Sequence, residues 1–385
     1  MGSVEDQRVS RISRGSPSCG AQPVGGPLFH LPTLHLHYPS FPTPLLDSCI
    51  MVIVVASDAD LPPCINTAEK QANKARALAH AHSGVPSLKA RGPRLQGFFS
   101  RTMIVTLQNG HELVIQFRPE ELDTTPFNIA RTALGSIVPD IGRLEDEELD
   151  QNGISAYWMT RCPGKTWLEG VRGKDATALI TVNQSLGRVL SRGLVEGKSE
   201  SVIEQKLRPH LRQLLASQDD GICPFHDIAQ NLLDKLDQLT SLPLFISHFD
   251  LNDLNIMIND DCEISGIIDW ELSACLPFGM GFSRIHTLAG EFSARKFYMP
   301  PEFEDAERGF WHEVFAGVSV VTRKVLDENV DAVQTAVTLG TLLDAFQLDE
   351  GNIGPYSPVV VEALPKLLSY RIPMVRGSDP PYAAE

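Results

Sequence analysis

The chain has 385 residues, 43% of them hydrophobic, with 48 Asp and Glu against 33 Lys and Arg, a formal charge of −15. That length can bury a large core and suggests two lobes or two domains. The acid surplus argues against nucleic acid as the main partner, because a phosphate backbone needs a basic face; it would suit a cationic small substrate, though an acidic surface more often serves solubility alone. Seven cysteines (Cys19, Cys49, Cys64, Cys162, Cys223, Cys262 and Cys275) form no C-x-x-C pair. They fit reduced thiols better than a disulfide framework or a zinc site.

Residues 1–48 are rich in Gly, Pro and Ser, lack apolar periodicity and read as disordered. The apolar run Ile50–Ala56 is far short of the ~20 residues of a membrane helix. Nothing frames it as a secretory signal, so the cytoplasm is the expected compartment and no membrane is expected as a partner. It reads as a strand or as a gene-prediction artefact. Thr67–Ala81 has helix-forming composition but little apolar face, a marginal helix. Residues 1–87 are thus expected to form a disordered N-terminal extension.

The globular part is expected from residue 88, with a first lobe over 88–160. The loop Gly92-Pro-Arg-Leu-Gln-Gly97-Phe-Phe-Ser-Arg101 precedes the first strand. Gly97 would let backbone approach a phosphate and Ser100 would donate to it, although a plain loop explains two glycines equally well. Thr102–Leu107, Asn109-Gly110 and Glu112–Arg118 read as a β-hairpin, since Asn-Gly between apolar runs is a strong turn signal. Strand alternation puts Val114, Gln116 and Arg118 on one face and Leu113, Ile115 and Phe117 on the core side. Ile154–Thr160 reads as a further strand, and Pro163-Gly164 breaks the chain like a hinge.

From residue 161 to 385 the pattern is mainly helical. Asp175–Leu194, Ser201–Ala216 (with Pro209 as a kink), Phe225–Leu239, Pro301–Phe315, Asp331–Phe346 and Val359–Tyr370 carry apolar residues at helical spacing. β first and α afterwards predicts an α+β, two-lobed architecture. Trp158, Trp167, Phe310 and Trp311 are expected in the core rather than lining a pocket.

Between these helices lies an H-x-D-x-x-x-x-N loop, His248, Asp250 and Asn255, followed by the apolar run Ile264–Ile268 that ends on Asp269-Trp270-Glu271. Phosphoryl transfer needs a carboxylate beside the nucleophile and oxygen ligands that fix Mg²⁺ against phosphates. Asp250 is the candidate base, Asn255 and Asp269 the candidate metal ligands, and His248 a brace for the loop. Turn chemistry alone would also place Asp250, Asn252, Asp253 and Asn255 in a hairpin. The second run ending on Asp269 favours the site.

This segment resembles the aminoglycoside phosphotransferase and choline kinase-like family, whose pattern is H-G-D-x-x-x-x-N and then I-D-W/F-E. His248, Asp250, Asn255, Ile268, Asp269, Trp270 and Glu271 match, while Phe249 stands where the family has Gly. The resemblance spans roughly residues 88–345 and implies a bilobal protein-kinase-like fold, with ATP as donor and Mg²⁺ as cofactor. It implies adenine contacts at the hinge, near Met159 and Thr160, and Glu271 as a substrate contact. Two features depart from the kinase pattern. Gln116 occupies the place of the V-A-I-K lysine, so Arg118, about 6–7 Å further along the same face, is either the substitute reaching back to the phosphates or a solvent-facing charge at the strand end. No acid on Phe127–Leu134 can pair with it; Glu120, Glu121 and Asp123 lie earlier. Two functions follow: a phosphotransferase acting on a hydroxyl of a small-molecule metabolite, or a catalytically silent kinase-fold module that binds a protein partner.

Overall fold

The computed structural model describes residues 54–293, 296–349, 352–355 and 358–374. The N-lobe is built on α1 (Ala68–Ser83), β1 (Ser87–Arg91), β2 (Arg101–Leu107), β3 (Glu112–Arg118), α2 (Thr125–Leu134), β4 (Ile141–Leu144) and β5 (Ser155–Thr160). Its five strands pair antiparallel in the order β1-β2-β3-β5-β4. The Asn109-Gly110 turn closes the β2–β3 hairpin, with Gly110 at φ 84°. Along β3, Ile115 and Phe117 are fully buried while Val114 and Gln116 are half-buried on the other face, as alternation requires.

The lobe begins earlier than the sequence suggested. Val55, Leu61, Ile65, Ala75, Leu78 and Ala79 share one core with Met103, Val105, Ile115 and Phe117. The expected extension over 1–87 is therefore corrected for its last third. Thr67 caps α1 by accepting from the Lys70 N–H, and Gly84 ends it at φ 68°. Its buried stripe is Gln71, Ala75, Leu78 and Ala79, so the helix lies close to the sheet through small side chains. A stripe with one leucine, two alanines and a glutamine gives little hydrophobic periodicity, which is why the helix looked marginal. Lys74 then ties it to Asp146 at 3.1 Å and Glu148 at 2.6 Å. Residues 54–56 are not in a strand; the rest of Ile50–Ala56 and residues 1–48 lie outside the described residues.

The hinge follows β5. Gly164 has φ 95°, and a Cβ there would stand 2.3 Å from the Ile258 carbonyl oxygen, so only glycine fits. Gly164→Ala is expected to cost on the order of 3 kcal/mol, combining left-handed strain with a backbone clash, read as a drop in denaturant midpoint.

The C-lobe contains α3 (Ala176–Leu190), α4 (Arg208–Ala216), α5 (His226–Asp234), β6 (Leu244–His248), β7 (Ile256–Ile258), β8 (Ile264–Ile267), β9 (Ser273–Pro277), α6 (Phe303–Gly317), α7 (Val330–Ala345) and α8 (Pro358–Leu367). With its antiparallel N-lobe sheet and helical C-lobe, the fold is α+β, bilobal and protein-kinase-like, as expected. Pro209 does interrupt its helix. A π turn over Ile203–Leu207 precedes α4, where the missing proline N–H falls in the first turn. α3 and α6 pack closely because Gly187 faces the Phe310 carbonyl oxygen. Phe310 and Trp311 are fully buried and meet Phe282 edge-on, and Trp167 is buried too, so these aromatics are core. Trp158 belongs to the N-lobe core and stacks on His82 at 4.2 Å.

His210 on α4 is buried and donates from Nε2 to the Phe346 carbonyl at 2.8 Å. Burial pulls its pKa down to about 4, with the bond to Phe346 opposing. The unfolded chain takes up this proton near pH 6.5 and the folded chain only near 4. Stability is therefore expected to fall as pH drops through that window, by up to about 3 kcal/mol. Chemical denaturation at pH 7 and pH 4.5 checks this, and His210→Gln should flatten the difference.

Candidate active site

β6 and β9 pair antiparallel with His248 opposite Ser273, and the loop 249–255 leaves the end of β6. His248 is buried, donates from Nε2 to the Ile268 carbonyl at 2.9 Å, and accepts the Asp250 N–H on Nδ1 at 3.2 Å. Burial pulls its pKa down to about 4, against the bond to Ile268 and the charge of Asp250. A neutral imidazole with both nitrogens engaged braces the loop, which is the role expected of it, and links it to the strand leading to Asp269. Phe249, in the glycine position of the family pattern, donates its N–H to the Leu272 carbonyl at 2.9 Å and packs against the C-lobe core. The turn needs no left-handed residue there.

Asp250 is held from two sides. Its Oδ1 accepts from Asn252 at 3.0 Å and its Oδ2 from Asn255 at 2.9 Å. Asn252 Oδ1 meanwhile accepts the N–H groups of Leu254 and Asn255, an Asx turn. Turn chemistry and site geometry are thus one structure: the same asparagines that shape the loop fix the carboxylate. Because Asn255 Nδ2 points at Asp250, its Oδ1 is left without a hydrogen-bond partner among the described residues.

Asp269 follows β8 in the left-handed region, φ 64° and ψ 58°. Aspartate tolerates that conformation better than most side chains, yet it costs about 1–3 kcal/mol and concentrates at functional sites. Its carboxylate makes no hydrogen bond among the described residues. It is open to water but closely surrounded by protein, as in a cleft; burial and the charges of Glu271 and Asp250 push its pKa up to about 7, with Arg118 opposing. Two hard, unengaged oxygen donors, the Asn255 amide and the Asp269 carboxylate, beside the Asp250 carboxylate suit a cation that takes its other ligands from water and phosphates. Among the described residues no three His, Cys, Asp or Glu side chains form a metal-binding group, so protein alone does not complete such a site.

On the N-lobe side, Gln116 donates from Nε2 to Ser100 Oγ at 2.9 Å. Ser100 is buried, and by accepting this bond its hydroxyl oxygen ties the 92–100 loop to β3. Gly97 has no strained backbone angle and its carbonyl accepts from Arg101 at 3.1 Å. Arg118 is buried and bridges the lobes, donating from Nη2 to both oxygens of Glu271 at 2.7 and 2.8 Å. Glu271, expected at the substrate, therefore has its carboxylate on Arg118. Met159 is partly buried against the large core cluster that includes Ile141 and α2 of the N-lobe. Thr160 spends its N–H on the Asp140 carbonyl at 2.9 Å and its hydroxyl on the Asp140 N–H at 2.8 Å. A cavity of about 550 Å³ opens behind the hinge, between the end of α1, the β2–β3 turn and Thr160–Pro163, away from Asp250 and Asp269.

Two charged groups near Asp250 were not foreseen. Arg284 pairs with Asp344 near the end of α7. Burial pushes the Asp344 pKa up to about 6, with Arg284 opposing and Asp250 adding. Their approach to the loop is a tertiary event with no local signal in sequence.

Asp250 paired with Asn255 and the unpaired Asp269 carboxylate thus lie together on one short segment of the C-lobe. The sequence model of the phosphotransferase enzyme family matches residues 96–293, and the chain belongs to that family. Similar solved structures include macrolide 2'-phosphotransferase MphH from Brachybacterium faecium, at 15% identity and TM-score 0.44 over 71% of this chain and 91% of that one. Spectinomycin phosphotransferase APH(9)-Ia, solved with ADP and spectinomycin, is 14% identical at TM-score 0.37 over 80% and 97%. A Plasmodium vivax ethanolamine kinase is 11% identical at TM-score 0.42 over 74% and 79%. Comparison with curated proteins finds no match.

Proposed function

We propose that this chain is an ATP- and Mg²⁺-dependent phosphotransferase that acts on a hydroxyl of a small-molecule metabolite. The observation that carries the reading is the pairing of Asp250 with Asn255, which leaves Asn255 Oδ1 and the whole Asp269 carboxylate free for a cation. Asp250 accepts a hydrogen bond from the acceptor hydroxyl and orients it. As the acceptor oxygen bonds to the γ-phosphorus, the bond from that phosphorus to the ADP oxygen breaks. The hydroxyl proton passes to Asp250 and then to solvent. Asn255 and Asp269 would hold magnesium, which supplies charge neutralisation at the phosphates. In this reading Met159 and Thr160 would flank the adenine, and the 92–100 loop, with Gly97 and Ser100 and tied to β3 through Gln116, would lie over the phosphates.

The acceptor is proposed to be small and not a nucleic acid, in keeping with the net charge of −15. A cytoplasmic location is proposed. Among the described residues no helix is long and apolar enough to cross a membrane. A catalytically silent binding module is favoured only by Gln116 in the lysine position and by the acid-free α2.

The test is transfer of label from γ-labelled ATP into a mixture of hydroxylated metabolites by the folded chain. Label in small-molecule products is the expected result. Label in protein alone would mean a protein acceptor in place of a small molecule, and no label after Mg²⁺-ATP binding has been verified would favour the silent binding module.

A further inference from the structure

Arg118 is 5% exposed, yet its guanidinium is only partly used. Nη2 serves both oxygens of Glu271, Nη1 reaches Gln116 Oε1 only at 3.5 Å, and Nε is buried without a hydrogen-bond partner among the described residues. A buried cationic N–H without a partner is costly, and it marks a place where an acceptor belongs. Strand alternation puts this side chain on the cleft face of β3, and its charge is felt at Asp269.

The acid that holds it comes from the other lobe. α2, where a kinase-like chain would carry the partner acid, has none in its sequence Thr125–Leu134; it buries Phe127, Ala130 and Leu134 and packs on the Trp270–Leu272 turn. Glu271 lies in that same turn, two residues after Asp269. One short segment of the C-lobe thus carries both a free carboxylate and the anchor of the N-lobe's buried cation.

We infer that Arg118 is the N-lobe ligand for the phosphates of a nucleoside di- or triphosphate, and that Glu271 is its positioning residue, so that the phosphate grip is aligned from the C-lobe. This rests on the nucleotide-donor reading above. Glu271 holds Nη2 by both oxygens, which fixes the guanidinium plane and leaves Nε and Nη1 for phosphate oxygens. Phosphate recognition then requires the two lobes to be in contact, whereas recognition of the nucleoside does not.

Calorimetry on the full chain with ADP and with adenosine, both in Mg²⁺, tests this. Arg118→Met is expected to weaken ADP at least about tenfold and to leave adenosine within about twofold. Glu271→Gln is expected to weaken ADP by about five- to tenfold, again sparing adenosine, and to add nothing in the Arg118→Met background. Should Arg118→Met fail to fold, Arg118→Lys serves in its place, since it keeps the charge but not the planar fork. The inference is overturned if Glu271→Gln binds ADP as well as the wild type, if it weakens adenosine equally, or if its effect persists without Arg118. A folded wild type that binds neither ligand overturns the donor reading itself, and this inference with it.

Discussion

Replacing Asp250 by Asn is expected to lower phosphoryl transfer by about 10²–10⁴-fold, the usual contribution of a positioned general base. Binding of Mg²⁺-ATP should change by no more than about threefold, because the acceptor side and not the donor side is altered. The substitution has a structural cost. Asp250 accepts from Asn252 on one oxygen and from Asn255 on the other. An amide at 250 can accept on only one side, so one asparagine faces a donor and loses its bond. That costs about 1–3 kcal/mol and should lower the melting temperature by several degrees. The two effects separate on measurement. A variant with the reduced melting temperature and unreduced turnover would remove Asp250 from the chemistry.

Asp269→Asn is expected to abolish most of the dependence of nucleotide binding on magnesium. In the wild type Mg²⁺ should strengthen ATP binding by at least about tenfold; in the variant the increment should shrink to about twofold or less, since a neutral amide oxygen is a poorer ligand than a carboxylate. Asparagine tolerates the left-handed backbone at 269, so the fold is not challenged. Stability should hold or rise, because the variant removes a charge that Glu271 and Asp250 disfavour, with only Arg118 opposing. Loss of the metal response together with an unchanged or higher melting temperature is what a functional residue shows and a structural one does not. Equal Mg²⁺ increments in the two proteins would mean that Asp269 is not a metal ligand.

Much of this was legible in the sequence, for identifiable reasons. The Asn109-Gly110 hairpin and the alternation along Glu112–Arg118 are local, and the structure repeats them residue for residue. Asp250, Asn255 and Asp269 lie close in the chain's path because the β7–β8 hairpin is held between the paired β6 and β9, with His248 and Asn255 both bonded to Ile268. The helix over 68–83 was undervalued because its buried face holds two alanines and a glutamine beside a single leucine, which pack well but hardly register as periodicity. Arg118 was placed on the correct face, yet its partner lies 153 residues away and no local pattern could name it. The same holds for Arg284 with Asp344. Long-range pairs between charged side chains are decided by tertiary packing, between lobes for Arg118 and within the C-lobe for Arg284, and in sequence they look like solvated surface.

The central claim is that this cleft holds a nucleotide through magnesium. Titrating ATP into the folded wild-type chain by calorimetry, with and without Mg²⁺, tests it most directly. The account predicts saturable one-to-one binding in Mg²⁺ that weakens by at least about tenfold when the metal is chelated. Absence of binding by a folded protein in both conditions, or the same affinity in both, would contradict it.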